Sequence, residues 1–333
     1  FLLLLPLMAY GQTYKHIGVE DGLSNRRIYN IQKDHQGYMW FLTNEGMDRY
    51  NGKDIKHYKL IEENKQLSSE IHLGWLYADK EGGIWVIGKK GRIFQYEEKY
   101  DRFTMVYKSP KVTDAISYGY LDRNNNLWLC GKDSILLYNT KTTQVMRLPN
   151  LLEDNITVVE QADDTHFFIA TEMGVRYTQF ENEALKVIPL DMLDHVYTQI
   201  NSLYFHPQLH RLFVGTFSDG TFAYDMSAHQ SDTKLGDVSI THIRPLNQKE
   251  LLVATEGMGV HKIDVNTCNT SPFIVANYES YNEMNGNNIT DIYIDEEKRI
   301  WLANYPAGIT VVDFRYKNYR WIKHSIGNKQ SIV

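Results

Sequence analysis

The segment Asp34-His-Gln-Gly-Tyr-Met-Trp40 recurs as Asp79-Lys-Glu-Gly-Gly-Ile-Trp85, Asp122-Arg-Asn-Asn-Asn-Leu-Trp128 and Asp295-Glu-Glu-Lys-Arg-Ile-Trp301. Four of the six tryptophans in the chain therefore sit on one repeated position. Weaker copies put Phe168, Phe213 and Leu252 at the same place, and successive anchors are 45, 43, 40, 45, 39 and 49 residues apart. A second ladder runs in step with the first. A small turn residue follows each anchor (Gly46, Gly91, Ser134, Gly174, Gly220, Gly259 and Gly308), and Tyr50, Tyr96, Tyr138, Tyr177, Tyr224, Ile263 and Val312 stand just beyond. Two ladders in phase make the repeat the strongest constraint on the fold.

Each copy reads as four short strands joined by turns. In the first, Ile28 to Ile31 is an apolar run stopped by Asp34, whose side chain can bond backbone amides in a turn. Tyr38 to Thr43, Met47 to Tyr50 and Ile55 to Lys59 supply the other strands. No window shows an apolar pattern of helical period, so helix is expected to be nearly absent. Four antiparallel strands per unit of roughly 40–50 residues describe a propeller blade. An open β-solenoid would have shorter rungs, and two sandwiches would not repeat so regularly. The expected fold is all-β, a seven-bladed β-propeller with four antiparallel strands per blade, the anchor aromatics filling the space between sheets.

The organisation follows from this. The apolar Phe1 to Ala9 is too short for a bilayer span, which needs about 20 residues, and Ala9-Tyr10-Gly11 offers the small residues of a signal-peptidase site. Residues 1–11 are read as the remnant of a signal peptide on an exported chain, and 12–24 as an N-terminal strand closing the ring. The propeller spans 25–324, with blades at about 25–66, 67–112, 113–154, 155–196, 197–236, 237–283 and 284–324. Residues 12–19 resemble the fourth-strand pattern of Tyr319 to His324, and 325–333 read as the start of a following unit.

Composition narrows the function. With 35 Lys plus Arg against 41 Asp plus Glu, the net charge of −6 lacks the basic excess of a nucleic-acid binder, so no direct nucleic-acid contact is expected. The 12 histidines are scattered without metal-ligand spacing, and Cys130 and Cys268 lie too far apart around the ring to pair, one in the core and one in a loop. Asp122 to Asn126 mimics the opening of a calcium loop, but Leu127 holds the place of its glycine, and the segment coincides with the repeated hairpin. Gly257 and Gly259 fall on a hairpin with no following helix to bind phosphate. The sequence demands no catalytic residue, metal or cofactor, and this segment reads as non-enzymatic.

A propeller gathers loops around its channel: the one leading into the first strand of each blade and the one joining the second to the third. The ligand-binding candidates there are Asn25, Arg26, Asn44, Trp75, Lys90, Tyr118, Lys132, Glu172, Tyr197, Asp219, Glu256, Asn288 and Tyr305. Aromatic rings among them suit the apolar faces of sugars, and Arg26, Lys90 and Lys132 suit an anionic group.

The motifs Val19-Glu-Asp-Gly-Leu-Ser-Asn25, Ile31 to Trp40, Thr43-Asn-Glu-Gly46 and Tyr50-Asn-Gly52 closely resemble the two-component regulator propeller repeat. The resemblance runs over residues 12–333, strongest in copies one, two, three and seven. It implies the periplasmic sensor region of a hybrid two-component histidine kinase anchored in the inner membrane. Such a sensor recognises an oligosaccharide released from a polysaccharide and signals to a kinase and a DNA-binding output. The partners it implies are a second propeller and a β-sandwich of the same chain, with a homodimer expected for the full-length receptor. The competing readings are a structural or dimerisation propeller without its own ligand, and a propeller lyase or glycosidase.

Overall fold

A computed structural model describes residues 13–62, 65–67, 73–110, 115–189, 198–228, 230–233, 235–276 and 284–315. The residues read as a signal remnant and those read as a following unit lie outside them.

Seven four-stranded antiparallel sheets make up the described chain, with one additional two-stranded hairpin, Leu60–Glu62 with Lys65–Leu67, after the first. The only helical pieces among the described residues are two single 3₁₀ turns, Val19–Asp21 and Glu98–Tyr100. Blade 1 shows the pattern: Ile28–Lys33, Met39–Thr43, Gly46–Tyr50 and Ile55–Tyr58 pair in chain order. The inner strands of blades 2 to 7 are Leu73–Ala78, Ile116–Leu121, Ile156–Gln161, Ile200–His206, Ile240–Pro245 and Ile289–Ile294. The architecture is a seven-bladed propeller.

The strand next to the innermost one is covered on both sides, so its residues are apolar in an unbroken run. Met39 to Thr43 is buried throughout, with Trp40 and Leu42 facing blade 2 while Phe41 faces blade 7. Each interface between neighbouring blades holds its own apolar cluster, and each cluster contains one anchor. Trp40, Trp85, Trp128, Phe168, Phe213 and Leu252 fill the successive spaces from blade 1 to blade 7, and Trp301 fills the space between blades 7 and 1. Fully burying a large apolar side chain contributes about 1.5–3 kcal/mol. A lone blade would leave these faces wet, so the stability belongs to the stack.

The repeated Asp has two tasks. Asp34 Oδ1 accepts the amides of Gln36 and Tyr38 at 3.0 and 2.9 Å, shaping the turn, while Oδ2 accepts the Trp40 indole N–H at 2.7 Å. Asp79, Asp122 and Asp295 hold Trp85, Trp128 and Trp301 in the same way at 2.8, 2.8 and 2.9 Å. The calcium-like segment is thus a turn, its Asp122 carboxylate taken by the amides of Asn124 and Asn126 and by the indole. Cys130 is buried as expected of a core residue; Cys268, read as a loop residue, lies on a turn yet is also buried, under the Arg211 guanidinium.

The ring closes through the N-terminal strand. Thr13–Ile17 pairs antiparallel with Gly308–Asp313 and occupies the outer edge of blade 7. That is the position where Tyr319 to His324 was expected; those residues lie outside the described set. Gly308 makes the closure possible. Its φ of 100° is in the left-handed region, and a Cβ there would come within 2.5 Å of the Ile17 carbonyl oxygen. The Glu-Asp-Gly-Leu-Ser motif is the strap from this strand to blade 1. Leu23 packs between blades 7 and 1, and Ser24 donates its amide and hydroxyl to the fully buried Asp48 at 2.8 and 2.9 Å.

Candidate functional site

Every inner strand carries a β-bulge after its first residue, between Ile28 and Asn30, Leu73 and Trp75, Ile116 and Tyr118, and likewise in blades 4 to 7. A bulge adds an unpaired residue and sharpens the local twist, re-aiming the side chains around it. In this chain the bulged positions are mostly small or polar: Tyr29, Gly74, Ser117, Thr157, Asn201, Thr241 and Thr290. Three of them bridge to the next blade. Asn201 Nδ2, Thr241 Oγ1 and Thr290 Oγ1 donate to the carbonyls of Ile240, Ile289 and Ile28 at 3.0, 2.7 and 2.8 Å.

The residue after the bulge extends the pattern. Asn30 Oδ1 accepts the Leu76 amide, Ser202 Oγ the Ile243 amide and Asp291 Oδ2 the Ile31 amide, at 3.3, 2.9 and 2.7 Å. Each of these bonds ties an inner strand to its neighbour, so the channel wall is rigid and polar.

This wall encloses a cavity of about 350 Å³, lined from blade 1 by Tyr29, Asn30, Ile31 and Gln32 and from blade 2 by Gly74, Trp75, Leu76 and Tyr77. Across from them stand Ser117, Tyr118, Thr157, Gln199, Asn201, His242, Arg244, Asp291 and Tyr293. The Trp75 and Tyr118 rings meet edge to face with centroids 5.8 Å apart. The absence of a side chain at Gly119 gives Trp75 its place, since a Cβ there would lie 2.8 Å from the indole. Tyr77 donates its hydroxyl to the Gly119 carbonyl at 2.6 Å.

Enclosure shifts the acids and bases of the channel. Burial raises the Tyr118 phenol to about 12 and the Glu160 carboxyl to about 7, the latter partly offset by the Phe205 amide and by Arg244 and Arg123. Burial lowers the His242 imidazole to about 4, although Asp291 lies 3.5 Å away and favours its charged form. Near neutral pH His242 is therefore uncharged.

Of the residues expected at the site from sequence, Trp75 and Tyr118 line the cavity. Asn25, Asn44, Asn288 and Tyr305 gather at its rim between blades 7 and 1. There Asn44 accepts the Tyr29 hydroxyl, Asn288 O accepts the Tyr305 amide, and the Arg27 guanidinium, whose amide donates to Asn25 Oδ1, lies over the Tyr29 and Tyr305 rings at 5.4 and 5.8 Å. Arg26, Lys90, Glu172 and Glu256 are exposed, Asp219 is half-buried on its turn, and none of these lines the cavity. Lys132 borders a separate hollow of about 100 Å³ between blades 2 and 3, with Asp133, Ser134 and Arg147. Tyr197 lies outside the described residues. The loops thus place most of their charged candidates in solvent, because the inner strands and not the loop tips form the wall.

Sequence reading passed over Asn30, Gln32, Asn201, His242, Arg244 and Asp291. A signal for four of them, Asn30, Asn201, His242 and Asp291, was present: an apolar residue followed by two polar or small ones recurs in phase with the anchor, as in Ile28-Tyr-Asn30, Ile200-Asn-Ser202, Ile240-Thr-His242 and Ile289-Thr-Asp291.

Comparison with known proteins agrees with this architecture. The two component regulator propeller family matches residues 22–45 and 283–305, the first and last copies of the repeat. The extracellular domain of a putative hybrid two component system from B. thetaiotaomicron is similar over 91% of this chain and 42% of its own, with a TM-score of 0.72 and 20% identity. A second such extracellular domain from B. thetaiotaomicron, described as a putative one component system, covers 93% and 40% at a TM-score of 0.70 and 18% identity. Virginiamycin B lyase from Staphylococcus aureus shares the fold over 91% of this chain and 99% of its own, at 0.70 and 11% identity. This chain thus spans about two fifths of the two extracellular domains it resembles. No curated protein matches the chain in sequence. Among the described residues no helix is long and apolar enough to cross a membrane.

Proposed function

We propose that this chain is the ligand-reading propeller of a periplasmic sensor in a hybrid two-component regulator, and that its channel takes part of an oligosaccharide cut from a complex polysaccharide. Binding is passed across the membrane to a kinase and a DNA-binding output carried elsewhere in the same protein. The observation that carries the reading is the channel wall itself. Aromatic rings at Trp75, Tyr118, Tyr29 and Tyr293 alternate there with amides and hydroxyls at Asn30, Gln32, Gln199, Ser117 and Thr157 around about 350 Å³. Sugars present apolar CH faces and a belt of hydroxyls, so they need flat stacking surfaces interleaved with hydrogen-bonding groups. The repeat match at both ends of the ring supports the signalling context.

Calorimetric titration of the chain with a panel of oligosaccharides tests this. The expected result is saturable binding without product formation, weakened at least tenfold by Trp75→Ala. Product formation would move the protein to the enzymes. A second reading, a docking or dimerisation face, is favoured by one observation. Met173, Phe217, Met258 and Tyr305 stand on equivalent turns of four consecutive blades and are 71, 55, 43 and 43% exposed. Under that reading no sugar binds, and Met173→Asp with Phe217→Asp changes the oligomeric state.

A further inference from the structure

Among the described residues Arg244 is the one cationic side chain lining the channel cavity. It stands on the inner strand of blade 6, and its charge is felt at Tyr77 of blade 2, Tyr118 of blade 3 and Glu160 of blade 4. Among the described residues its guanidinium makes a single hydrogen bond, from Nη1 to the adjacent Ile243 carbonyl at 3.1 Å, and enters no ion pair. A guanidinium carries five N–H donors in a fixed fork, so most of this one is unspent. Enclosed charge is ordinarily paired, because leaving it without a counter-charge in a partly desolvated space is costly. Among the described residues no carboxylate forms an ion pair with it, although Glu160 feels its charge. Asp291 is committed to the Ile31 and Ile292 amides and lies beside His242, which is neutral; Glu160 is turned to the Phe205 amide. Among the described residues two further polar atoms on cavity-lining residues, Thr157 Oγ1 and His242 Nδ1, have no hydrogen-bond partner.

We propose that the channel recognises an acidic sugar, whose carboxylate or sulfate is gripped in bidentate fashion by Arg244 while its ring lies against Trp75 and Tyr118. The inference rests on the reading of the channel as a sugar site and adds the charge of the sugar and the residue that reads it. Arginine suits this better than lysine because its planar fork matches two oxygens of one oxyanion. The cavity volume of about 350 Å³ falls within the roughly 300–1,000 Å³ of small-molecule sites. Arg26, Lys90 and Lys132, the cations singled out from sequence, do not line it.

Ligand-observed saturation-transfer NMR on the chain, with D-glucuronate, D-glucose 6-sulfate and D-glucose as probes, tests the proposal. The expected result is transfer to at least one of the anions at a concentration where glucose gives roughly a tenth or less. Transfer to glucuronate alone assigns a carboxylate, and transfer to the sulfate alone a sulfate ester. Arg244→Gln should weaken the anion at least tenfold and Arg244→Lys by less, with the melting temperature of each variant confirming the fold. Should Arg244→Gln fail to fold, Trp75→Ala provides the second arm, lowering transfer to the anions while keeping their advantage over glucose. Equal transfer to glucose and glucuronate, an anion affinity unmoved by Arg244→Gln, or no transfer to either anion overturns the proposal. Binding of neutral oligosaccharides in the calorimetric panel would then leave the sugar-sensing reading standing alone, whereas silence there as well would remove both.

Discussion

Replacing Asp34 by alanine removes three hydrogen bonds at once, and the structure says how unequal they are. The Gln36 and Tyr38 amides lie in a surface turn, where water can replace the lost carboxylate oxygen. The Trp40 indole N–H cannot be rehydrated, because Trp40 is 0% exposed and packed among the side chains of blades 1 and 2. A hydrogen bond to a charged acceptor contributes about 1.5–3 kcal/mol, and a buried donor left unpaired costs about 1–3 kcal/mol. Asp34→Ala should therefore destabilise the propeller by about 2–4 kcal/mol. The chain contains its own control. Asp163 shapes the corresponding turn of blade 4 from one position later, accepting the Thr165 and His166 amides at 2.9 Å each, but the anchor there is Phe168, which has no N–H to offer. The Asp163 side chain is also 58% exposed, so Asp163→Ala should cost about 1 kcal/mol or less. Guanidinium denaturation followed by tryptophan fluorescence and far-UV dichroism measures both. A cycle pairing Asp34→Ala with Trp40→Phe should give a coupling of about 1–2 kcal/mol. If Asp34→Ala proves no more damaging than Asp163→Ala, or the coupling is zero, the indole bond does not have the role assigned to it.

Two further outcomes are expected. Gly308→Ala should lower stability by about 1–3 kcal/mol in thermal melts, because its φ is 100° and the new Cβ would press on the Ile17 carbonyl. Gly236→Ala, with open space around it, should stay within about 0.5 kcal/mol of the parent; equal effects would discount the ring-closure contact. Burial holds the Glu160 carboxyl at about 7 against an ordinary 4.5, so the folded state binds its proton more tightly than the unfolded chain does. The stability linked to it is complete below the ordinary value and declines as pH rises through the folded one. The melting temperature of Glu160→Gln relative to the parent should therefore climb from about pH 4.5 to 7 and then level off. His242, with its shift in the opposite direction, is common to both proteins and cancels in the difference. A flat or falling difference would contradict the buried setting of Glu160.

How far the fold could be read from the sequence differs from residue to residue. Trp40, Trp85, Trp128 and Trp301 announced the blades because each needs the same neighbours: a turn Asp six residues before it and an apolar face beside it. Phe168, Phe213 and Leu252 kept the apolar half of that requirement and lost the polar half, which is why copies four to six read more faintly. The ligand face was read only in part. Trp75 and Tyr118 reach the cavity, but Lys90, Lys132 and Glu172 sit on turn tips whose direction local sequence does not set. Arg244 was passed over because, in one blade, it is simply a polar residue on a strand.

By itself the chain's sequence determined the period, the four strands of each unit and the turns between them. Those depend on contacts within some 45 residues and on the alternation of apolar and polar side chains. The sequence also marked a ring-closing strand within 12–24, but tertiary structure decided its partner and register, since Thr13 must find Asp313 across 300 residues of chain. Tertiary structure alone decided what faces the channel, because the lining comes from all seven blades and the bulge in each inner strand re-aims its side chains. A half-buried arginine that faces the channel and forms no ion pair among the described residues is a property of that assembled ring, and no single repeat contains it.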